Sequence, residues 1–223
     1  MATTKKVKSE KKELKDSEII SLYMDDVLEN NEEPKNVFSF CKKHNIAESD
    51  FYTFFNSIDA LKESIWERFF ENAVETISKE SGFESYTDKN KLLTLYFTLF
   101  EILTLNRSYV IFSLKENKKG LKNIKALKGF RTHFKDFVSN SIITKSSESF
   151  AKLSKVTEPV YVEGAWVQFL LLLQFWINDT SKSFEKTDIL IEKSVNTVVD
   201  LLDTKPLENL LDLGKFLWKE KMV

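Results

Sequence analysis

Residues 44–57, HNIAESDFYTFFNS, decide how the first part of the chain folds. Upstream, Val37, Phe40, Cys41 and His44 fall at i, i+3, i+4 and i+7, which puts them on one face of a short helix. Asn45 follows at once. After glycine, asparagine is the residue best able to adopt the left-handed backbone that a tight helix–helix turn demands. A second short helix is expected over 48–56, with Phe51 and Phe55 one turn apart facing inward and Ser49, Asp50, Thr53 and Asn56 outward. Ser57 then caps a longer helix carrying Leu61, Ile65, Trp66, Phe69 and Phe70 toward a break at Ser81 and Gly82. Helix, turn, helix and linking helix thus follow one another in a single register.

Working outward, residues 1–15 carry Lys5, Lys6, Lys8, Lys11, Lys12 and Lys15 against Glu10 and Glu13, a net charge of +4 without apolar periodicity. This reads as a basic flexible arm. Asp16 or Ser17 is a competent cap for a helix whose stripe is Ile19, Ile20, Tyr23, Met24, Val27 and Leu28. Beyond Gly82, helices are expected over 88–105, 108–115, 121–143, 159–178, 184–203 and 206–221, with the Ser- and Lys-rich 144–155 as a surface connection or a fraying end of the preceding helix. The expected organisation is an arm (1–15), a helix-turn-helix domain (16–62) whose linking helix continues to about 81, and a larger antiparallel helical bundle (82–223).

Composition agrees. In 223 residues, 42% are hydrophobic, enough for a buried core, and only 5 glycines and 3 prolines are present to break helices. An all-α protein is expected. The formal net charge of -1 excludes a general basic field, so any nucleic-acid affinity must be local. Cys41 is the single cysteine, which rules out an intrachain disulfide and suits a reducing compartment. The charged N-terminus lacks the apolar core of a signal peptide, so the expected compartment is the cytoplasm. The most apolar run, residues 165–177, is interrupted by Gln168 and Gln174 and falls short of the ~20 residues of a membrane span, so a buried helix is expected there.

The series Phe40, Cys41, Asn45, Ile46, Phe51, Tyr52, Phe54, Phe55, Ser57 and Leu61 resembles the signature of the TetR family of transcriptional regulators over residues 18–70. The resemblance implies a TetR-like all-α fold, a homodimer and binding to double-stranded operator DNA, typically as a repressor. It also implies which residues would meet the duplex. Tyr52 would touch phosphate, Ser49 and Thr53 would reach toward base edges, and Lys35, Asn36, Lys42, Lys43 and Lys62 flank them; the arm would enter the minor groove or follow the backbone. Paired recognition helices would sit about 34 Å apart, one turn of DNA. The chain departs from the family pattern at Ala47, Glu48, Asp50 and Ile58. Acids in the first turn of a recognition helix stabilise the helix through its macrodipole and repel the duplex.

The second bundle is rich in aromatic and aliphatic side chains. By the resemblance it holds a cavity for a small apolar ligand, for which the candidates are Phe97, Phe100, Tyr109, Phe130, His133, Phe134, Trp166, Phe169, Leu170 and Leu173. The same side chains could equally pack a core, and His133, flanked by Arg131 and Lys135, could lie on the surface. Residues 161–177 and 189–202 would form the dimer interface. The first of these segments is apolar around most of its circumference, which independently requires a central or shared position. An alternative reading, motivated by Glu48, Asp50 and Ile58, is a TetR-fold protein with weakened or lost DNA binding that takes a lipid or isoprenoid-like molecule.

No catalytic or metal-binding constellation is present in the sequence pattern. The two histidines, His44 and His133, lie far apart in the chain, and no Gly-rich phosphate loop, HExxH or nucleophile elbow occurs. No enzyme activity and no cofactor are expected. The acid pairs Asp25–Asp26 and Glu32–Glu33 read as solvated helix surface.

Overall fold

A computed structural model describes residues 14–114, 125–142 and 148–202, the last segment with side chains from 158 to 198. Every regular element among the described residues is helical, as the composition predicts. The backbone contacts divide the chain into two compact units, one ending at Lys62 and one beginning at Glu63.

The first unit contains α1 (Asp16–Asn30), α2 (Val37–His44), α3 (Glu48–Phe54) and the first turn of α4 (Ile58–Ser78). Its core is Ile19, Tyr23 and Val27 from α1, Phe40 and Cys41 from α2, Phe51, Phe55 and Leu61. Three rings pass through it in series, with Phe40 6.0 Å from Tyr23 and 6.1 Å from Phe51, both edge to face. Helix α1 begins with Asp16 inside it, so neither Asp16 nor Ser17 is the cap; Lys15 is, and its N–H donates to the Glu18 carboxylate at 3.0 Å. Asn36 caps α2 by accepting from the Ser39 N–H at 2.8 Å. Helix α3 stops at Phe54, two residues earlier than its pattern suggests, because Phe55 turns to an extended conformation that sends its ring inward.

A second correction concerns the acids. Asp26 and Glu33 are not solvated surface. Asp26 is 6% exposed and pairs with Lys43, while Glu33 pairs with Lys62. Burial of a carboxylate demands such a partner. The signal was in the α1 stripe, because Asp26 lies seven residues after Ile19 and three after Tyr23, on the buried face.

The second unit holds the rest of α4, then α5 (Asp88–Leu105), α6 (Arg107–Leu114), α7 (Lys128–Phe137), α8 (Glu148–Asn178) and α9 (Glu185–Leu202). Gly82, at φ +100°, makes the break after α4 where the sequence places it. The helix expected over 121–143 is instead a short 3-10 turn (Lys125–Leu127), α7 and a π-helical turn (Val138–Ile142). Buried Lys91 of α5 donates to the Ser141 carbonyl at 3.1 Å, satisfying a group at the end of that turn.

Pro159 does not open its helix, as the pattern suggests, but lies inside α8, and the connection expected over 144–155 is helical from Glu148 onward. Pro159 is exposed, and a proline inside a helix removes one i→i−4 hydrogen bond without having to end the helix. The stretch Glu158–Asn178 is long and apolar enough to cross a membrane by length and composition, longer than the run read from sequence, yet 56% of its apolar window is buried inside the protein, as in a core helix. The arm over 1–13 and the helix expected over 206–221 lie outside the described residues.

Candidate functional site

In the first unit the turn between α2 and α3 has the predicted geometry. Asn45 adopts φ 54°, ψ 38°, and the Cys41 carbonyl accepts from the N–H groups of Asn45 and Ile46. With Phe51 held in the core, the pitch of α3 turns Ser49, Tyr52 and Thr53 to solvent on one face. Tyr52 is 52% exposed, its ring edge-on to Phe51 at 5.7 Å. The Thr53 hydroxyl donates to the Ser49 carbonyl at 3.0 Å, and Ser49 leans on the Asp50 carboxylate at 3.5 Å.

The flanking cations divide into two sets. Lys35 and Lys42 are exposed, with Lys42 over the ring of the exposed Phe38 at 5.8 Å. Lys43 and Lys62 are engaged by Asp26 and Glu33, and the Lys62 side chain is mostly covered. His44 Nε2 lies 3.7 Å from the same Asp26 carboxylate. Asn36 spends its carbonyl oxygen on the α2 cap. The α3 N-terminus has no side-chain cap at Ala47, and Glu48 and Asp50 occupy its first turn. Burial first, and then the nearby Glu48 charge, raise the Cys41 thiol above its ordinary range, which disfavours the thiolate.

The second unit places most of the sequence-predicted ligand residues in its core. Phe130, Phe134, Trp166 and Phe169 form a ring cluster with centroids 5.0 to 6.2 Å apart, and Phe100 joins through Phe169 at 6.0 Å. Tyr109, Leu170 and Leu173 are buried as well. Phe97 and His133 are exposed. His133 is brought to an open groove of about 610 Å³ between α4 and the α7–π-helix segment. Apart from the aromatic Phe70 and Phe137, the groove's other residues were not singled out from the sequence, although Glu63, Glu67, Glu71 and Glu75 recur at every fourth position of α4. That spacing marks one acidic helix face.

The polar core of this unit is also specific. Tyr96, fully buried, donates to the Ala165 carbonyl at 2.8 Å, and burial pushes its phenol far above the usual range, so it stays protonated. Gln168 of α8 donates to Ser194 of α9 at 2.8 Å, joining the two last described helices. On its other side α8 leaves Val160, Val167, Leu171 and Phe175 exposed, and the space over Gly164 is open. No group of histidine, cysteine and acidic side chains suited to a metal ion occurs among the described residues.

A helix-turn-helix unit followed by an all-helical bundle defines a class of two-part helical regulators. Residues 91–217, more than half of the chain, match the family model described as the tetracyclin repressor-like C-terminal domain. The chain belongs to the TetR family of regulators. No curated protein matches it.

Proposed function

We propose that this protein is a cytoplasmic homodimer that binds operator DNA through α2 and α3 and responds to a small, largely apolar ligand taken up by the second unit. The observation that carries the DNA reading is the left-handed Asn45 between α2 and α3, which buries Phe51 while Ser49, Tyr52 and Thr53 stand exposed together. Lys35 and Lys42, exposed and without an ion-pair partner among the described residues, supply positive charge beside them, suited to phosphate. The dimer reading rests on the exposed stripe of α8, whose members Val160, Gly164, Val167, Leu171 and Phe175 follow at steps of four, three, four and four residues and so share one helix face. The ligand reading rests on the aromatic content of the second unit and on His133 at the groove. Selection of genomic fragments by the purified protein at low salt tests the whole. It is expected to recover a palindromic site whose affinity falls steeply with salt, and recovery of unrelated sequences would count against operator recognition.

A second reading has its own support. Lys43 and Lys62 are tied to Asp26 and Glu33, and Glu48 and Asp50 sit at the start of α3, so few free cations and two acids face a would-be duplex. On this reading DNA binding is weakened or lost and the second unit binds a lipid or isoprenoid-like molecule. Native mass spectrometry of the purified protein separates the two: a co-purifying lipid with no DNA selectivity favours the second reading.

A further inference from the structure

We propose that the groove between α4 and the α7–π-helix segment is a binding site for a lipophilic organic cation, one molecule per chain. The proposal names a ligand class for the ligand-responsive reading above and rests on it only for regulatory meaning. At about 610 Å³ the groove has the size of a site for one drug-sized molecule. Its floor is aromatic. Phe70 and Phe137 meet edge to face at 6.0 Å, and Phe83 stacks on Phe137 from behind at 6.4 Å, so the floor is backed by a second ring. Its rim carries Glu71 and Glu75 from α4 and Asp136 from α7, three carboxylates against the single imidazole of His133, with no lysine or arginine among the lining residues.

Asp136 has no ion-pair partner among the described residues. Among the described residues Glu71 and Glu75 pair with Arg68 at 2.9 Å and Lys79 at 2.8 Å, the first within α4 and the second at the residue after it, and both pairs are exposed. Exposed pairs of this kind contribute little and are readily exchanged for a ligand's charge. Next to the groove, the Glu67 carboxyl is held above its ordinary range by burial, against the opposing pull of His133, with smaller contributions from Glu63 and Glu71.

The occupant follows from this combination. An anion would meet three carboxylates, and a neutral apolar molecule would desolvate them without compensation. A cation carrying aromatic or branched apolar groups gains from both, covering Phe70 and Phe137 while its charge lies among the carboxylates and over ring faces. Asn140 and Ser141, on the π-helical turn, offer hydrogen-bonding groups at the edge of the groove.

Titration calorimetry of the full chain with tetraphenylphosphonium, set against the near-isosteric anion tetraphenylborate, tests the site. Saturable binding of the cation at one per chain is expected, at least about tenfold tighter than the anion. In the triple variant Glu71→Gln, Glu75→Gln, Asp136→Asn the cation affinity is expected to fall about tenfold or more, with unchanged far-ultraviolet circular dichroism. Glu75→Lys alone, at an exposed position, provides a weaker version that leaves the fold intact. Equal affinity for cation and anion, no binding of the cation at millimolar concentration, or undiminished affinity in the folded triple variant would overturn the proposal. Cation binding without any change in DNA affinity would support the groove and count against the ligand-responsive reading. Operator binding released by neutral apolar ligands, with no uptake of the cation, would do the reverse.

Discussion

Arg107 holds the end of the helix that carries Trp176. Its guanidinium lies 4.3 Å over the Trp176 ring and donates at 3.0 Å to the Trp176 carbonyl, with a second bond at 3.0 Å to the Ile177 carbonyl. Phe184 packs against it as well, its ring centre 4.5 Å from the guanidinium carbon. These carbonyls belong to the last turn of α8, where the helix supplies no i+4 donor, and the Trp176 carbonyl also accepts from the Asp179 N–H at 3.1 Å. Arg107→Lys keeps the charge and loses the planar fork, so a destabilisation of about 1–2 kcal/mol is expected, and Arg107→Ala is expected to cost about 2–4 kcal/mol. Chemical denaturation monitored by circular dichroism measures both.

Two carboxylates impose opposite pH dependences on stability. Burial alone would raise Asp179, but hydrogen bonds from the side chains and N–H groups of Ser181 and Thr187 outweigh it and hold the carboxyl at about 2, below its ordinary 3.8. Its contribution is therefore present above pH 3.8 and lost as pH falls toward about 2. Asp179→Asn is expected to lower Tm at neutral pH, with the deficit shrinking in that acidic window. Glu67, raised mainly by burial, behaves in reverse: its folded form binds the proton more tightly, so stability falls as pH rises above the ordinary 4.5. Glu67→Gln should raise Tm at neutral pH and leave it unchanged below 4.5. Thermal melts across pH read out each sign.

Leu171, 66% exposed at the middle of the α8 stripe, is the position at which the proposed dimer is most easily broken. Because the free chain leaves it in water, Leu171→Arg is not expected to disturb the fold, whereas a charge buried in a two-fold interface without a partner is costly. Sedimentation is expected to show a monomer with normal helical content. A variant that sediments as an unaltered dimer places the interface elsewhere.

Asp50 tests the DNA-facing surface by charge alone. Asp50→Asn removes one repulsion from the first turn of α3 while retaining a polar side chain of the same size. Operator affinity is expected to rise several-fold at low salt, with the gain fading as salt screens it. Fluorescence anisotropy at two ionic strengths measures this, and an affinity indifferent to the substitution would mean that α3 does not approach the duplex.

Much of the first unit was legible in the chain because its signals are local. Asn45 must be left-handed, Ser57 must cap α4, as its hydroxyl does by accepting from the Ala60 N–H at 3.1 Å, and Phe51 with Phe55 must face inward, all from spacings of a few residues. Helix α5 is likewise Asp88–Leu105, the range its pattern predicts. Where a helix stops was less legible, as at α3, because packing of Phe55 overrides local preference. Proline at 159 misled for the opposite reason, since it weakens one hydrogen bond and does not by itself dictate where a helix begins.

Amino-acid order alone determined the helical class, the helix-turn-helix register and the apolar character of α8. Tertiary structure decided which charges are free and which faces are covered. Lys43 meets Asp26 across 17 residues and Lys62 meets Glu33 across 29, pairings that no helical period contains. The same holds for the aromatic side chains of the second unit. Their count was visible in the chain, but the closing of α7 onto α8 packed Phe130, Phe134, Trp166 and Phe169 into a solid cluster and left His133 beside an acidic groove. Periodicity records the neighbours one turn away, whereas burial and charge pairing depend on which helices come together.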